Sequence, residues 1–559
     1  MAKTELFRAL RRAARRAAAA TKVGMSIDDA AEAARRRGPS RREVLRGTLG
    51  ALALAPLVGC GDNALPPAVP APVIAIVGGG AAGLHCAYQL RKAGVIATVY
   101  EAAGRTGGRM FTASDKFAGG MVAELGGELV DSDHDTMIAL AAQFGLVLDD
   151  LHAEEADLGL DAELFHFDGA PVSAADLATA FTPVAMKMSM AVTASDADAT
   201  EFDRLDAMSI SDWLADEAGL APTALIRRIL EQAYVGEYGL EVAQQSAFNL
   251  LYLIDHDTPD PFRVFGDSDE RYHLRKGSQA IPDALAGELD DGQIVLDHKL
   301  VAVVAESDGR TTLTFDTAGG SVEVTADHVV FALPFTMLRA CDLSAAGLPA
   351  DKKTIIDTLG YGTNAKLMTG YGSRPWRTQN ASGTSITDHG ELQATWDTSR
   401  GQPGTTGILT NFVGGDRGVA MGEGTAEERA AEILPWVDTL YPGAQAAYTA
   451  GSALRMHWPT QPFVLGSYAC YKPGQTSFSG NEGARVGNLH FCGEHTSQDY
   501  QGYMEGSCET GAMAAGEILD DLGIPHGALL ARVLAPKLTR PQGAYHASHG
   551  QRRRKPVRR

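Results

Sequence analysis

The sequence predicts an α/β fold with a Rossmann-like dinucleotide-binding domain, and three observations within one stretch predict it. Residues 73–77, Val-Ile-Ala-Ile-Val, form a short apolar run suited to a parallel strand buried on both faces. Gly78-Gly79-Gly80-Ala81-Ala82-Gly83 fills the G-x-G-x-x-G template directly after it. A helical pattern then reaches about Gly94, a second strand-like run spans Ile96 to Tyr100, and Glu101 closes the unit. Gly78 permits the tight turn, Gly80 lets a pyrophosphate approach the backbone, and Gly83 lets helix pack on strand. The first helical turn, Ala82 included, offers free N–H groups to phosphate. Glu101 stands where an acid meets ribose hydroxyls.

Arg105-Thr106-Gly107-Gly108-Arg109 follows the acid. With this R-x-G-G-R run the chain resembles the FAD-binding flavin amine oxidases. The resemblance implies FAD as cofactor, with Arg105, Gly108 and Arg109 near its diphosphate. It also implies an FAD domain assembled from separated segments, 73–133, 271–334 and 456–525, interleaved with an α+β substrate-binding domain from 134–270 and 335–455.

The remaining motifs fall in order along that plan. Glu124-Leu125-Gly126-Gly127-Glu128-Leu129-Val130-Asp131 resembles the family segment that lies against flavin and substrate. Residues 134–260 are mostly helical by pattern. Lys276-Gly277-Ser278 precedes a helix near Pro282, and Ile294–Val304 and Thr311–Val324 alternate as strands. Val301 matches the family position whose backbone holds adenine, and Asp327–Pro334 is a buried strand with its exit turn. Residues 335–455 are expected to supply the substrate-domain sheet. Lys366, in Gly360-Tyr361-Gly362-Thr363-Asn364-Ala365-Lys366, matches the lysine that holds a water against the flavin and assists reaction with oxygen. A lysine beside Ala365, Leu367 and Met368 is costly there unless solvated or functional.

Phe491-Cys492-Gly493-Glu494-His495-Thr496-Ser497 leads to Gly502-Tyr503-Met504-Glu505-Gly506, a pairing similar to that of plant polyamine oxidases and monoamine oxidases. By this resemblance Glu494 accepts from ribityl hydroxyls, and Tyr503 and Met504 open a helix facing the flavin. Tyr468 and Tyr503 match the aromatic pair that flanks an amine. Gly466 stands at the attachment cysteine of monoamine oxidases, so the FAD is expected to be non-covalent.

The implied reaction is oxidation of a carbon–nitrogen bond of a primary or secondary amine, with oxygen reduced to hydrogen peroxide. Di- or polyamines are included, with Asp131 and Glu128 as sites for a distal ammonium. The alternative is an L-amino-acid oxidase of the same fold, which binds a carboxylate through an arginine. In several such lineages that arginine falls at Leu129. Flavin-dependent desaturases share R-x-G-G-R but not the lysine or the aromatic pair, and a non-catalytic flavoprotein would be expected to lose one or the other.

Composition sets outer bounds. At 559 residues, with 45% hydrophobic and 21% charged residues, the chain is globular and long enough for two domains. The net charge of −20 hides an asymmetry, since residues 1–59 carry 13 Lys/Arg against 5 Asp/Glu and residues 552–559 carry six more cations. The acidic body between them excludes a nucleic-acid partner and suits cationic substrates. The six cysteines contain no C-x-x-C pair, so neither a disulfide framework nor a zinc site is expected, and no metal is assigned.

The first 60 residues read as targeting, not fold. Ser40-Arg41-Arg42-Glu43-Val44-Leu45-Arg46 matches a twin-arginine signal, and the 13 residues from Gly47 to Gly59 are too few to span a bilayer. Leu57-Val58-Gly59-Cys60 resembles a lipobox, making Cys60 a lipidation site. Residues 61–72 form a Pro/Ala-rich linker and 526–559 a basic tail. The expected location is periplasmic or cell-surface, with a lipid anchor as the sole membrane contact. Oligomeric state is not legible.

Overall fold

In the computed structural model, which describes residues 71–161 and 163–534, β1 (Ile74–Val77) is buried at every position. The Gly-rich turn delivers the chain to α1 (Ala81–Lys92), ten of whose residues are buried. β2 (Thr98–Tyr100) is shorter than the apolar run suggests, because Ile96 stays exposed before the strand begins. Helices then dominate residues 135–253. The longest, α2 (Ala174–Ala197) and α3 (Leu225–Tyr238), share a core that includes Phe181, Trp213, Tyr234 and Phe248.

β3 (Ile294–Val295) returns to β2 as a parallel neighbour. The run expected to continue to Val304 breaks at Asp297, whose φ of 57° is left-handed. Lys299–Ala305 instead joins a separate four-stranded sheet with Thr311–Thr317, Gly320–Ala326 and Asp342–Ala345. The stretch Thr311–Val324 likewise folds back at Ala318-Gly319 into a hairpin. β4 (His328–Phe331) lies beside β1. β5 (Ala365–Tyr371) and β6 (Gly407–Val413) belong to the substrate-side sheet, and β7 (Leu489–Phe491) comes back to β4 before α4 (Met504–Asp521).

Two sheets position the site. The first has strand order β3-β2-β1-β4-β7, all parallel, so one sheet is gathered from residues 74–100, 294–331 and 489–491. The second has seven strands, with β5 between β6 and Leu454–His457, and Ala394–Asp397 on the far side of β6. Register places Lys366 opposite Phe412, and Phe412 opposite Ala394, so the three share one face. Ala365 and Leu367 take the other face, in one cluster with Ile433 and Val437 of the helix Ala426–Leu440. Among the described residues no helix is long and apolar enough to cross a membrane.

Gly83 is where α1 meets the turn. A Cβ there would fall 2.0 Å from the Gly78 carbonyl oxygen. Gly83→Ala is therefore expected to destabilise the fold by about 1–3 kcal/mol, the range for overpacking. Gly287→Ala, in a helix with open space at the Cβ, should be neutral or mildly stabilising. Thermal melts of the two variants check the contrast.

Candidate active site

Two cavities meet at Arg109, Trp458 and Ser507, which line both. The one over the Gly-rich turn, about 340 Å³, takes its backbone wall from Gly78, Gly80, Ala82 and Gly108 and side chains from Glu101 and Arg105. Glu101 accepts from the N–H groups of Gly79 at 2.6 Å and Ala103 at 2.8 Å, which fixes its carboxylate at the end of β2. Burial raises its pKa against those bonds. Arg105 donates to the carbonyls of Thr106 and Gly108 and lies 3.7 Å over the Phe111 ring. Gly83 does not line the cavity; it serves packing. Nor does Val301. The cavity is closed by Lys299 and Leu300, the first two residues of the same strand, next to the Val301 position that the resemblance matches to the adenine contact.

This cavity suits a dinucleotide diphosphate. The N-terminus of α1 has no side-chain cap and no acid in its first turn, which leaves N–H groups and the positive dipole end for an anion. His495, buried against Phe335, lines the same wall, and neither of its ring nitrogens has a hydrogen-bond partner among the described residues. A buried polar ring in that state leaves two nitrogens for a ligand or an ordered water to satisfy. Burial and the nearby cations Arg109, Lys352 and Arg339 hold its pKa well below the usual histidine value, so it is neutral.

The second cavity, about 280 Å³, lies against the seven-stranded sheet, with Lys366, Trp396 and Phe412 in its wall. Its floor is assembled by Arg109, which donates to Glu494 at 2.7 Å and to the Ser467 carbonyl at 2.6 Å. Glu494 also accepts from Gly502 N at 3.0 Å, joining the strand exit after β7 to the turn before α4. Gly126 is pressed against Arg109, where a Cβ would sit 1.7 Å from its carbonyl oxygen. Tyr468, Tyr503 and Met504 line the wall, so sequence-distant residues singled out from the motifs share one cavity.

Lys366 is buried and donates three bonds, to Glu128 Oε2 at 2.9 Å, Gly126 O at 2.8 Å and Glu124 O at 3.2 Å. An ammonium has three protons, so a water there requires one bond to open; the longest, to Glu124, is the weakest. Glu128 also accepts from Trp396 Nε1 at 2.9 Å. Its burial disfavours charge, but Lys366 and His273 outweigh that and hold its pKa below the ordinary value. The expectation that Glu128 binds a distal ammonium is therefore corrected, because its carboxylate is already committed to the lysine.

Asp131 is corrected as well. It lies outside the cavity lining, accepting from Glu270 N at 2.9 Å and facing His134 at 3.5 Å. It stands behind Glu270 and holds that residue's backbone, which adopts a left-handed φ of 44°. Such a conformation in a non-glycine residue persists only where surroundings enforce it, and it clusters at functional sites.

Besides the paired Glu128 and Glu494, three acids that escaped the motif reading line this cavity: Glu163, Glu237 and Glu270. Glu237 lies next to the Tyr503 hydroxyl at 3.5 Å, and the Tyr468 hydroxyl donates to its carbonyl. Burial within the protein body, then repulsion from Glu270 and Asp131, pushes Glu237 up to about 8. Burial, then repulsion from Glu270, likewise pushes Glu163 up to about 7, and burial with repulsion from Asp131 and Glu128 pushes Glu270 up to about 7. One local signal was present in sequence: Glu237 falls in the last turn of α3, where the helix dipole disfavours an anion and no basic residue offsets it. Of the remaining expectations, Cys60 and the twin-arginine stretch lie outside the described residues.

Known proteins place this geometry. The sequence model for flavin-containing amine oxidoreductases matches residues 81–519. The chain is 26% identical to an L-amino acid dehydrogenase of Synechocystis sp., over 79% of this chain and 94% of that one. It is 25% identical to putrescine oxidase of Kocuria rosea, over 80% and 95%. Its fold is similar to that of cyclohexylamine oxidase from Brevibacterium oxydans, with a TM-score of 0.69 at 20% identity, covering 81% of this chain and all 100% of that one. The chain belongs to the flavin-containing amine oxidoreductase family and is an FAD-dependent amine oxidase.

Proposed function

We propose that the enzyme oxidises amines carrying a second cationic group, diamines or polyamines, and passes the electrons to oxygen to give hydrogen peroxide. One observation carries the reading. Both cations of the substrate cavity are held by acids of the protein, Arg109 by Glu494 and Lys366 by Glu128, while none of Glu163, Glu237 and Glu270 is ion-paired among the described residues. A carboxylate substrate would meet acids and no available cation, which disfavours the amino-acid oxidase reading. An ammonium meets the reverse.

The cofactor's redox chemistry is the hydride-equivalent transfer from the amine α-carbon; the protein binds, orients and desolvates. Gly78, Gly80, Ala82, Gly108, Glu101, Arg105 and Leu300 would hold the nucleotide half, and Arg109, Glu494 and Met504 the flavin half. Neither cavity is lined by a cysteine, which supports non-covalent FAD. Tyr468 and Tyr503 orient the reacting nitrogen with their ring faces. Glu237 lies beside both and, protonated below about pH 8, releases its proton to solvent as the distal ammonium arrives. Lys366 keeps a positive charge at the cavity wall, which favours electron transfer to oxygen.

A charge-assisted contact is worth roughly 1.5–3 kcal/mol, about one to two orders of magnitude in affinity. Glu270→Gln should lower kcat/KM for an α,ω-diamine by that factor and leave an n-alkylamine of equal length nearly unchanged. Equal losses for the two substrates, or efficient turnover of L-amino acids by the unaltered enzyme, would refute the reading. The pH dependence has a definite sign. Carboxyls with pKa raised to about 7–8 are neutral at low pH, so diamine KM should fall as pH rises through that window. The same groups stabilise the substrate-free enzyme fully below their unfolded value near 4.5, and that stability is lost as pH rises through 7–8.

Lys366→Met is expected to slow reoxidation by oxygen far more than anaerobic reduction by amine. Stopped-flow traces with unchanged reoxidation would remove Lys366 from that role. The same preparations test attachment, since acid denaturation should release all the flavin.

We also propose export by the twin-arginine route to the periplasm or cell surface, with Cys60 acylated. Replacing Arg41 and Arg42 by lysine should retain folded flavoprotein in the cytoplasm. Cys60→Ser should be exported but no longer sediment with membranes, and sedimentation of that variant would exclude the anchor.

A further inference from the structure

His328 opens β4, and His490 is central in β7, the adjacent parallel strand. His490 is level with Val330, two residues after His328, so side-chain alternation puts both imidazoles on one sheet face. α4 supplies the facing residues: Glu517 and Asp521 are four apart and therefore on one side of the helix. His490 Nδ1 lies 2.7 Å from Glu517 Oε2. His490's other nitrogen, Nε2, lies 3.3 Å from His328 Nδ1, and Asp521 Oδ2 lies 4.0 Å from that same nitrogen. One ligand atom from each of His328, His490 and Asp521 falls within 4.8 Å of the others.

Two features let this hydrogen-bonded histidine pair serve as metal ligands. Glu517 accepts the Nδ1 proton of His490, which leaves the Nε2 lone pair aimed into the cluster; a carboxylate behind a histidine is the usual support of a metal-bound imidazole. Ligands at 2.0–2.1 Å from a tetrahedral ion lie roughly 3.4 Å apart, and the two imidazole nitrogens stand at 3.3 Å. We infer that His328, His490 and Asp521 bind a divalent transition-metal ion of the zinc class, with Glu517 as the positioning residue and water completing the shell. Imidazole nitrogen with one carboxylate oxygen suits zinc, nickel and copper over magnesium or calcium. Arg485 competes for Asp521 at 2.8 Å. Both side chains are more than 30% exposed, and such a surface pair is worth about 0–1 kcal/mol, too little to hold Asp521 from a metal. The site lies at the start of β4, whereas the nucleotide cavity takes Ala332, just past its end. Its role is therefore structural, stapling β4, β7 and the last turn of α4. The cysteine spacing gave no hint of it, because its ligands come from three elements and include no thiolate.

The test is calorimetric titration of chelator-treated, FAD-loaded full-length enzyme with Zn²⁺, with thermal unfolding followed in parallel. One equivalent bound and a raised melting temperature are expected. His328→Ala and His490→Ala, checked for folding by bound-flavin absorbance, should lose that equivalent, and Glu517→Gln should weaken Kd by about ten- to a hundredfold. Absence of stoichiometric uptake, or uptake that survives both histidine substitutions, overturns the site. Should the histidine variants lose their flavin, Asp521→Asn at the surface decides: at least about tenfold weaker binding supports the site, and unchanged binding refutes it.

Discussion

The contact between Arg109 and Glu494, 2.7 Å long, ties together the parts of the chain that make the active site. Arg109 ends the R-x-G-G-R run, and Glu494 ends the strand exit that follows β7, 385 residues later. The same guanidinium reaches Ser467 beside Tyr468, and the same carboxylate reaches Gly502 beside Tyr503. Four motifs thereby acquire fixed positions from one ion pair. Glu494 is almost fully buried, so loss of its partner would strand a charge in the interior at about 3–5 kcal/mol. The pair also separates the two cavities, since Arg109 lines both and Glu494 only the substrate side.

Pairing these cations internally determines what the remaining cavity can bind. A half-buried arginine and a buried lysine would ordinarily attract a substrate carboxylate. Here each is ion-paired with a glutamate at hydrogen-bond distance, and the lysine spends its donors on that glutamate and two carbonyls. Burial, with repulsion from neighbouring carboxylates, raises the pKa of the acids that remain, a cost tolerated in the free enzyme and relieved when a cation enters.

Much of the fold was legible because its signals are local. The β1–turn–α1–β2 unit, Glu101 and the Gly83 packing follow from adjacent residues whose geometry only that sequence satisfies. The lysine in β5 was visible as a polar residue within an apolar run, and the aromatic pair through motif resemblance. The cavity acids were not, because Glu163 precedes a strand, Glu237 ends a helix and Glu270 sits in a loop. Nothing local joins them; tertiary packing does. The choice of Asp131 and Glu128 failed for a related reason. Short strand pairing at Leu129–Val130 turns residues three apart to different surroundings, and alternation alone does not say which surroundings hold the substrate.

Both residues that mark the substrate cavity break a local rule. Glu270 holds a left-handed backbone that Asp131 clamps, and Glu237 ends a helix with the wrong sign of charge for its dipole. A sequence selected for stability alone would replace them with glycine or asparagine and with a basic residue. Their retention in a wall otherwise lined by Trp396, Phe412 and Ile386 means that the enzyme tolerates local strain to keep anionic oxygens facing the cavity. Asp131 thus enters the chemistry as the support of Glu270, one step behind where its sequence motif had placed it.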